Sequence, residues 1–195
     1  MKKLLHFSIL IFIGLYLVSC GGSNEDPQPA QEGFIRFKVD GILKEFKVGL
    51  GNSSSFSFDP NGPIFNTIIQ VLGPGSTGTS NFIQFTVKNE KMFETNLDYN
   101  LQDAILYKGV PLSRINFVYS DEKGQSFAAV NLDPKSPLIV VKDAAKVRFS
   151  KITNDVVEGT FTALLIGPIT PTGVGKQEVT ISEGQFSMKL TNLIP

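Results

Sequence analysis

The amino-acid sequence predicts an all-β fold, an antiparallel β-sandwich of about ten strands. Apolar and polar residues alternate along short segments from position 33 onward, which is the period of half-buried strands. Glycine-bearing turns separate these segments, and no long segment shows the period of three to four residues that is typical of an amphipathic helix. A partly closed, lipocalin-like β-barrel is the alternative that the same strand spacing allows.

The first residues differ from the rest of the chain and predict an exported protein. Lys2 and Lys3 precede an apolar run over positions 4–18, which is the layout of a secretory signal peptide. A helix over that run would be only about 22 Å long, whereas the hydrocarbon core of a bilayer is roughly 30 Å thick. We therefore expect a cleaved leader and not a transmembrane anchor.

Cys20, the only cysteine, ends the motif Leu17-Val18-Ser19-Cys20, which looks like the lipobox of bacterial lipoproteins. The resemblance implies cleavage before Cys20, a diacylglyceryl thioether on its sulfur and an acyl group on its new amino terminus. Several acyl chains anchor a protein stably, so we expect Cys20 to hold the chain at the membrane. The predicted organisation is a lipoprotein signal peptide over 1–19, the lipidated cysteine with a flexible tether over 20–32, and a single all-β domain over 33–195.

The tether has no apolar periodicity and cannot bury enough surface to become ordered. Gly21, rather than Asp, follows the cysteine, which in the enterobacterial sorting rule favours the outer membrane. Ser23-Asn24-Glu25-Asp26 resembles the surface-export signal of Bacteroidota lipoproteins. The sequence thus predicts an outer-membrane protein and leaves both the periplasmic face and the cell surface open.

The β domain is predicted to consist of five hairpins. In the first, Ile35, Phe37 and Val39 alternate with polar residues, and Asp40-Gly41 is a type I′ turn signal before a strand over 43–48. The other predicted strand pairs are 66–72 with 82–88, 114–120 with 125–130, 146–153 with 156–166, and 178–182 with 185–190, the last across Glu183-Gly184. Apolar residues on both faces of the 156–166 segment favour a central or covered strand. The segments 98–107 and 143–145 are predicted to hold at most a turn or a short helix.

Both ends of this domain carry short motifs of turn glycines and aromatic residues, namely Phe37-Lys38-Val39-Asp40-Gly41 at the start, and Val157-Glu158-Gly159-Thr160-Phe161 and Val179-Thr180-Ile181-Ser182-Glu183-Gly184-Gln185-Phe186 near the end. These motifs are similar to those of small lipoprotein β domains of the Bacteroidota type. The middle of the domain is not covered, and Phe46 stands where many members have Trp or Tyr. Because the motif consists of turn glycines and core aromatic residues, it implies a fold and a location and names no activity.

The positions of the rare residues exclude most side-chain catalysis. His6 is the only histidine, and both His6 and Cys20 lie in the first twenty residues. Without histidine the mature chain lacks Ser-His-Asp and Cys-His hydrolysis and histidine-ligated metals, so we expect no cofactor or metal. Removing Lys2 and Lys3 leaves 16 basic and 18 acidic residues, a net charge of −2. This balance argues against a nucleic-acid partner.

Three kinds of short motif contain residue types that occur in known catalytic or ion-binding sites. Glu90 with Glu94, or Asp98 with Asp103, would supply the carboxylate pair of a glycan hydrolase, although solvated loop charges are the favoured interpretation. Asp59-Pro60-Asn61-Gly62 resembles the start of a calcium loop but lacks the later ligands, so a β-turn is favoured. Gly173-Val174-Gly175-Lys176 lacks the Ser or Thr of a phosphate loop and is interpreted as a hairpin loop.

Aromatic residues are the remaining candidates for a binding surface. The sequence has no tryptophan, which argues against the exposed aromatic platforms of carbohydrate-binding modules. The mature chain keeps the tyrosines Tyr99, Tyr107 and Tyr119. Most phenylalanines fall at alternate strand positions and are expected in the core, whereas Phe56, Phe58 and Phe93 are the candidates for exposure.

Three functions are compatible with these observations. The favoured one is a non-enzymatic, monomeric binding or scaffolding domain that is tethered to the outer membrane and has an unknown envelope or extracellular partner. The first alternative is a β-barrel carrier of a small apolar ligand, which requires an internal cavity. The second is a carboxylate-based glycan hydrolase, which requires an acidic pair in a cleft.

Overall fold

The computed structural model describes residues 33–48, 52–129 and 145–190. The regular secondary structure in these residues is entirely β, and the predicted all-β, antiparallel fold class is confirmed. The strands are β1 (Phe34–Val39), β2 (Ile42–Lys47), β3 (Ser53–Asp59), β4 (Ile64–Leu72), β5 (Phe82–Asn89), β6 (Asp98–Asn100), β7 (Ile105–Tyr107), β8 (Val110–Leu112), β9 (Ile115–Ser120), β10 (Ser126–Ala128), β11 (Ala145–Ile152), β12 (Val156–Thr170) and β13 (Gly173–Lys189).

Eleven of these strands form one antiparallel sheet, and β7 and β8 form a separate hairpin. The sheet has the order β2-β1-β13-β12-β10-β9-β5-β4-β3, while β11 pairs with β12 and carries β6 on its other side. The two longest strands, β12 and β13, pair from Val156 with Lys189 to Thr170 with Gly173. The prediction of a central strand over 156–166 is confirmed, because β12 is bonded to β13 along one edge and to β11 and β10 along the other.

The sheet curls so that its two halves face each other across an aromatic core. Phe85 on β5 lies 5.2 Å from Phe161 on β12 between ring centroids, and Phe37 on β1 lies 6.0 Å from Tyr119 on β9. The halves are also joined by hydrogen bonding where Ala128 on β10 pairs with Ile166 on β12. The fold thus has the two facing layers of a sandwich and the continuous, partly open sheet of a curled half-barrel.

Four of the five predicted hairpins are present. Asp40 and Gly41 have φ angles of 49° and 85°, as a type I′ turn requires, and the turn joins β1 to β2. The pairs β4 with β5, β9 with β10 and β11 with β12 also match the predicted pairs. Position 130, the end of the strand predicted over 125–130, lies outside the described residues, as do positions 143 and 144.

The fifth predicted hairpin is wrong, because β13 runs without a break through Glu183 and Gly184. The register of β13 against β12 shifts between Phe161 and Ala163. Glu183 and Gly184 of β13 therefore lie in a β-bulge. Glu183 has a φ of 51°, a conformation that suits a bulge as well as a turn. Glu183-Gly184 therefore marks a bulge within a continuous strand and not a chain reversal.

Three other predictions require correction. No strand is predicted over Ser53–Asp59, yet these residues form β3 at an edge of the sheet. The segment 98–107 does contain the predicted turn, but two short strands that were not predicted, β6 and β7, flank it. Gly173-Val174-Gly175-Lys176 is not the hairpin loop, because Val174 already pairs with Ile169 and the reversal is made by residues 171 and 172.

Candidate functional site

The outward side of six neighbouring strands forms a continuous polar surface, which we call the polar face. It comprises the outward side chains of β6, β11, the first half of β12, the second half of β13, β1 and β2. Because residues that pair in register lie side by side, one row of side chains crosses all six strands. The row consists of Asp98, Arg148, Thr160, Gln185, Arg36 and Glu45.

Asp98 is the anionic centre of one end of the polar face. Its Oδ1 accepts a hydrogen bond from Arg148 Nε at 2.5 Å, and its Oδ2 accepts one from Lys146 Nζ at 3.0 Å. These bonds, first from Arg148 and then from Lys146, hold the pKa of Asp98 below its ordinary value. The carboxylate therefore fixes the direction of two long basic side chains that β11 presents two residues apart.

A hollow of about 260 Å³ lies beside this charged group. It is lined by Asp98, Lys146, Arg148, Thr160, Phe161 and Thr162. Thr160 pairs with Arg148, and Thr162 pairs with Lys146, so each basic residue has a hydroxyl beside it. Arg148 bonds to Asp98 through Nε, and its two terminal nitrogens make no hydrogen bond within the described residues. The hollow thus presents cationic donors, hydroxyl groups and one carboxylate together.

Arg36 occupies the other side of the row and is held by neutral groups. Its Nε and Nη2 donate to Gln185 Oε1 at 3.0 and 2.6 Å, and its guanidinium lies 5.5 Å from the centroid of the Phe34 ring. No salt bridge to Arg36 is present within the described residues. Its guanidinium is therefore positioned by an amide and an aromatic ring and not by an ion pair.

A second hollow, of about 480 Å³, lies where the row ends at β2. Glu45 and Lys47 of β2 contribute to its lining, together with Asn52, Leu72, Gly73, Pro74, Gly75 and Ser76. Asn52 is fixed there, because its Oδ1 accepts the backbone N–H of Leu72 at 2.7 Å. The polar face therefore runs from one hollow to the other.

The polar face carries more positive than negative charge. On the six described strands its seven basic residues are Arg36, Lys38, Lys47, Lys146, Arg148, Lys151 and Lys189, and its four acidic residues are Glu45, Asp98, Glu158 and Glu183. The difference is a local charge of +3, although the chain from Cys20 onward has a net charge of −2. Positive charge is thus concentrated on the polar face, while the basic and acidic residues of the full chain balance at 18 each.

The carboxylates that the sequence suggested as pairs are held by different partners and make no hydrogen bond to each other in the described residues. Glu90 accepts a hydrogen bond from the backbone N–H of Leu106, while the backbone N–H of Glu94 donates to Tyr99 Oη and its side chain is exposed. Asp103 accepts from Asn100 Nδ2 at 3.0 Å, and Asp98 bonds to Lys146 and Arg148. Each carboxylate has its own local environment.

The calcium-like segment forms the favoured β-turn. Asp59 Oδ1 accepts the backbone N–H of Asn61 at 2.9 Å, and Asp59 Oδ2 accepts the Tyr107 hydroxyl at 2.9 Å. Both bonds lower the pKa of Asp59, the backbone bond from Asn61 contributing most. No group of three or more His, Cys, Asp or Glu side chains that could hold a metal ion occurs in the part of the chain that the structure describes.

The aromatic candidates for exposure are mostly internal. Phe56 and Phe93 are buried and pack edge to face at 5.3 Å between centroids, and Phe58 is half-buried against Phe65. Phe93 fills the side of the sandwich between β3 and β6, which explains why a loop residue is buried.

From the sequence, Asp98 is predicted only as one member of a carboxylate pair, and the other residues of the polar face are not predicted as a site. The alternation of apolar and polar residues does indicate which side chains point outward. These outward residues include Arg36, Lys146, Arg148, Thr160 and Gln185. Their common row depends on the register between distant strands, which the alternation does not reveal.

Cys20 and its tether lie outside the described residues. Comparisons with protein-family models, with curated proteins and with solved structures give no match. Among the described residues, no helix is long and apolar enough to cross a membrane.

Proposed function

We propose that this chain is an outer-membrane lipoprotein whose β domain is a non-enzymatic binding or scaffolding domain at the cell envelope. The observation that carries the proposal is the position of its only cysteine at the end of Leu17-Val18-Ser19-Cys20, directly after an apolar leader. A lipidated Cys20 followed by a polar tether would hold the domain close to the membrane and leave its surface free to meet a partner.

The aromatic core favours binding at the surface over binding in the interior. Phe161 lies 5.7 Å from Phe117 and 6.3 Å from Phe186, and Phe85 lies 5.6 Å from Phe186 between ring centroids. These rings occupy the space between the two halves of the sheet, where an apolar ligand of a barrel carrier would bind. The polar face, in contrast, presents its donors and acceptors to solvent.

Metabolic labelling tests the anchor. The full chain is expressed in a bacterium with lipoprotein-processing enzymes and supplied with alkyne-palmitate. We expect label and membrane association in the wild type and in the Ser19→Ala control, which keeps a small residue before the cysteine. Cys20→Ala should carry no label. Equal labelling of Cys20→Ala, or no labelling of the wild type, would contradict the proposal.

Surface labelling tests the face of the membrane. Intact cells are treated with a membrane-impermeant amine reagent, and lysed cells serve as the control. Labelling of the domain in intact cells indicates display at the cell surface, whereas labelling only after lysis places the domain on the periplasmic side.

A further inference from the structure

We infer that the polar face binds an acidic polysaccharide whose sugars carry carboxylate groups, as uronic acids do. This inference rests on the proposed function in one respect, which is that the domain lies at the cell envelope, where glycans are present. Its structural basis is the row of side chains from Asp98 on β6 to Glu45 on β2, with a hollow at each end.

The charge of the polar face selects for a negatively charged ligand. The face is positive while the chain from Cys20 onward is slightly negative, so a polyanion is attracted to this side of the domain. Arg36 makes no salt bridge within the described residues, and the Arg148 terminal nitrogens make no hydrogen bond there. A planar guanidinium with open donors matches the two oxygens of a carboxylate.

The arrangement of the hollow favours a sugar acid over a simple anion. Thr160 and Thr162 place hydroxyl groups beside Arg148 and Lys146, and Asp98 supplies a hydrogen-bond acceptor in the same hollow. A sugar acid brings one carboxylate for the cations and several hydroxyls for the threonines and the aspartate. A volume of about 260 Å³ is below the range of about 300–1,000 Å³ for drug-sized ligands, which suits one sugar unit.

The length of the row favours an oligomer. Six neighbouring strands are separated by five spacings of about 4.8 Å, so the row from Asp98 to Glu45 spans roughly 24 Å. Arg148 and Arg36 lie three spacings apart on it, about 14 Å. A chain of several sugars would contact both arginines, whereas a single sugar reaches one.

The acidic residues of the face disfavour an acidic peptide or a phospholipid surface. Glu45, Glu158 and Glu183 are interspersed among the basic residues, and Glu183 is paired with Lys38 at 2.7 Å. The hydroxyl groups of a polysaccharide donate hydrogen bonds to these carboxylates, whereas the side chains of an acidic peptide and the phosphates of a lipid surface offer them only acceptors.

Calorimetric titration of the full chain in a neutral detergent tests the inference, with oligogalacturonate as the probe. We expect binding that weakens with added salt, and an affinity about tenfold lower in Arg148→Gln and in Arg36→Gln, as loss of a charged hydrogen bond predicts. Lys123→Gln, which removes the same charge from the exposed β9–β10 turn, should bind like the wild type. Unchanged circular dichroism shows that each variant is folded.

Three outcomes of these titrations would contradict the proposed binding of an acidic polysaccharide. Equal binding of neutral dextran, or of polyglutamate, would overturn the assignment of an acidic sugar. A loss in Lys123→Gln as large as in the two arginine variants would show general attraction and overturn the site. Absence of binding by a chain that still incorporates palmitate would overturn this inference alone, because labelling of Cys20 does not depend on the polar face.

Discussion

Phe186 on β13 lies directly opposite Gly159 on β12, and its ring covers the glycine. A Cβ built at position 159 would lie 2.6 Å from Phe186 Cζ and closer still to the backbone oxygen of Arg148. The relationship is repeated in the opposite sense two residues away, where Phe161 lies opposite Gly184 and a Cβ there would meet its ring at 2.5 Å. Each glycine thus makes room for the aromatic ring of the neighbouring strand in the centre of the core.

We expect Gly159→Ala to destabilise the domain by about 1–3 kcal/mol, which is the usual cost of forcing an extra carbon into a packed site. Both contacts of the new Cβ are firm, because one is a backbone oxygen and the other belongs to a buried ring. Chemical denaturation measures the free energy of unfolding. Ser57→Ala, an exposed change on the edge strand β3, should stay within about 0.5 kcal/mol of the wild type. Similar losses in the two variants would contradict the proposed packing.

These glycines show how far the sequence could be interpreted. The alternation of apolar residues predicted the inward positions of Phe161 and Phe186 correctly. Locally, Glu183-Gly184 predicts a turn, because a polar residue followed by glycine is typical of a hairpin. Whether the chain reverses or bulges at Gly184 depends on the two strands that flank β13. Because β12 and β1 both continue to pair with β13 past this point, the chain bulges. That information lies in the tertiary pairing and not in the local sequence.

We expect the buried Tyr119 to make the domain less stable in alkaline solution. Burial, followed by the nearby charges of Glu122, Asp121 and Asp40, raises the pKa of Tyr119 to about 12 from an ordinary value of 10.0. Between these two pH values the unfolded chain has lost the phenolic proton and the folded chain has kept it. Stability from this group is therefore complete below pH 10 and falls as the pH rises toward 12, with a slope of at most about 1.4 kcal/mol per pH unit.

Tyr119→Phe tests this assignment. Denaturation at several pH values should give a shallower decline above pH 10 in the variant than in the wild type, while the slopes below pH 9 should agree. The same alkaline slope in both proteins would show that another group is responsible.

The contact between Gly62 and Tyr107 predicts a local effect at the β7–β8 hairpin. A Cβ at position 62 would lie 2.6 Å from Tyr107 Cδ2, so Gly62→Ala must displace the ring. We expect the displaced Tyr107 to lose its hydrogen bond to Asp59 and the pKa of Asp59 to rise partway toward its ordinary value, because the stronger bond from Asn61 remains.

Carbon-detected NMR titration of the Asp59 carboxyl measures that change. Tyr107→Phe is the matched variant, since it removes the hydroxyl and leaves the ring in place. Both variants should raise the pKa of Asp59, but only Gly62→Ala should also shift the amide resonances of β7 and β8 widely. Confinement of both effects to Asp59 would show that the ring does not rest on Gly62.

The candidate site was less predictable than the fold. The sequence offers Asp98 with Asp103 as a candidate carboxylate pair, although no spacing rule selects it. In the folded chain Asp98 instead meets Lys146 and Arg148, about 50 residues away, through the pairing of β6 with β11. A three-residue strand such as β6 leaves almost no periodic signal, so its partner could not be deduced from the sequence alone.

The pairing of Asp98 leads to a prediction about its titration. Arg148 contributes most to lowering the pKa of Asp98, and Lys146 contributes second. Arg148→Gln should therefore raise the pKa of Asp98 further toward its ordinary value of 3.8 than Lys146→Gln does. Because the folded-state pKa is depressed, stability from this carboxylate is present above about pH 4 and is lost as the pH falls through the folded-state value. NMR titration of the carboxyl carbons gives both values, and the pKa of Asp59 should stay constant in these variants. An equal or larger shift in Lys146→Gln would mean that the lysine, and not the arginine, holds Asp98 in its charged form.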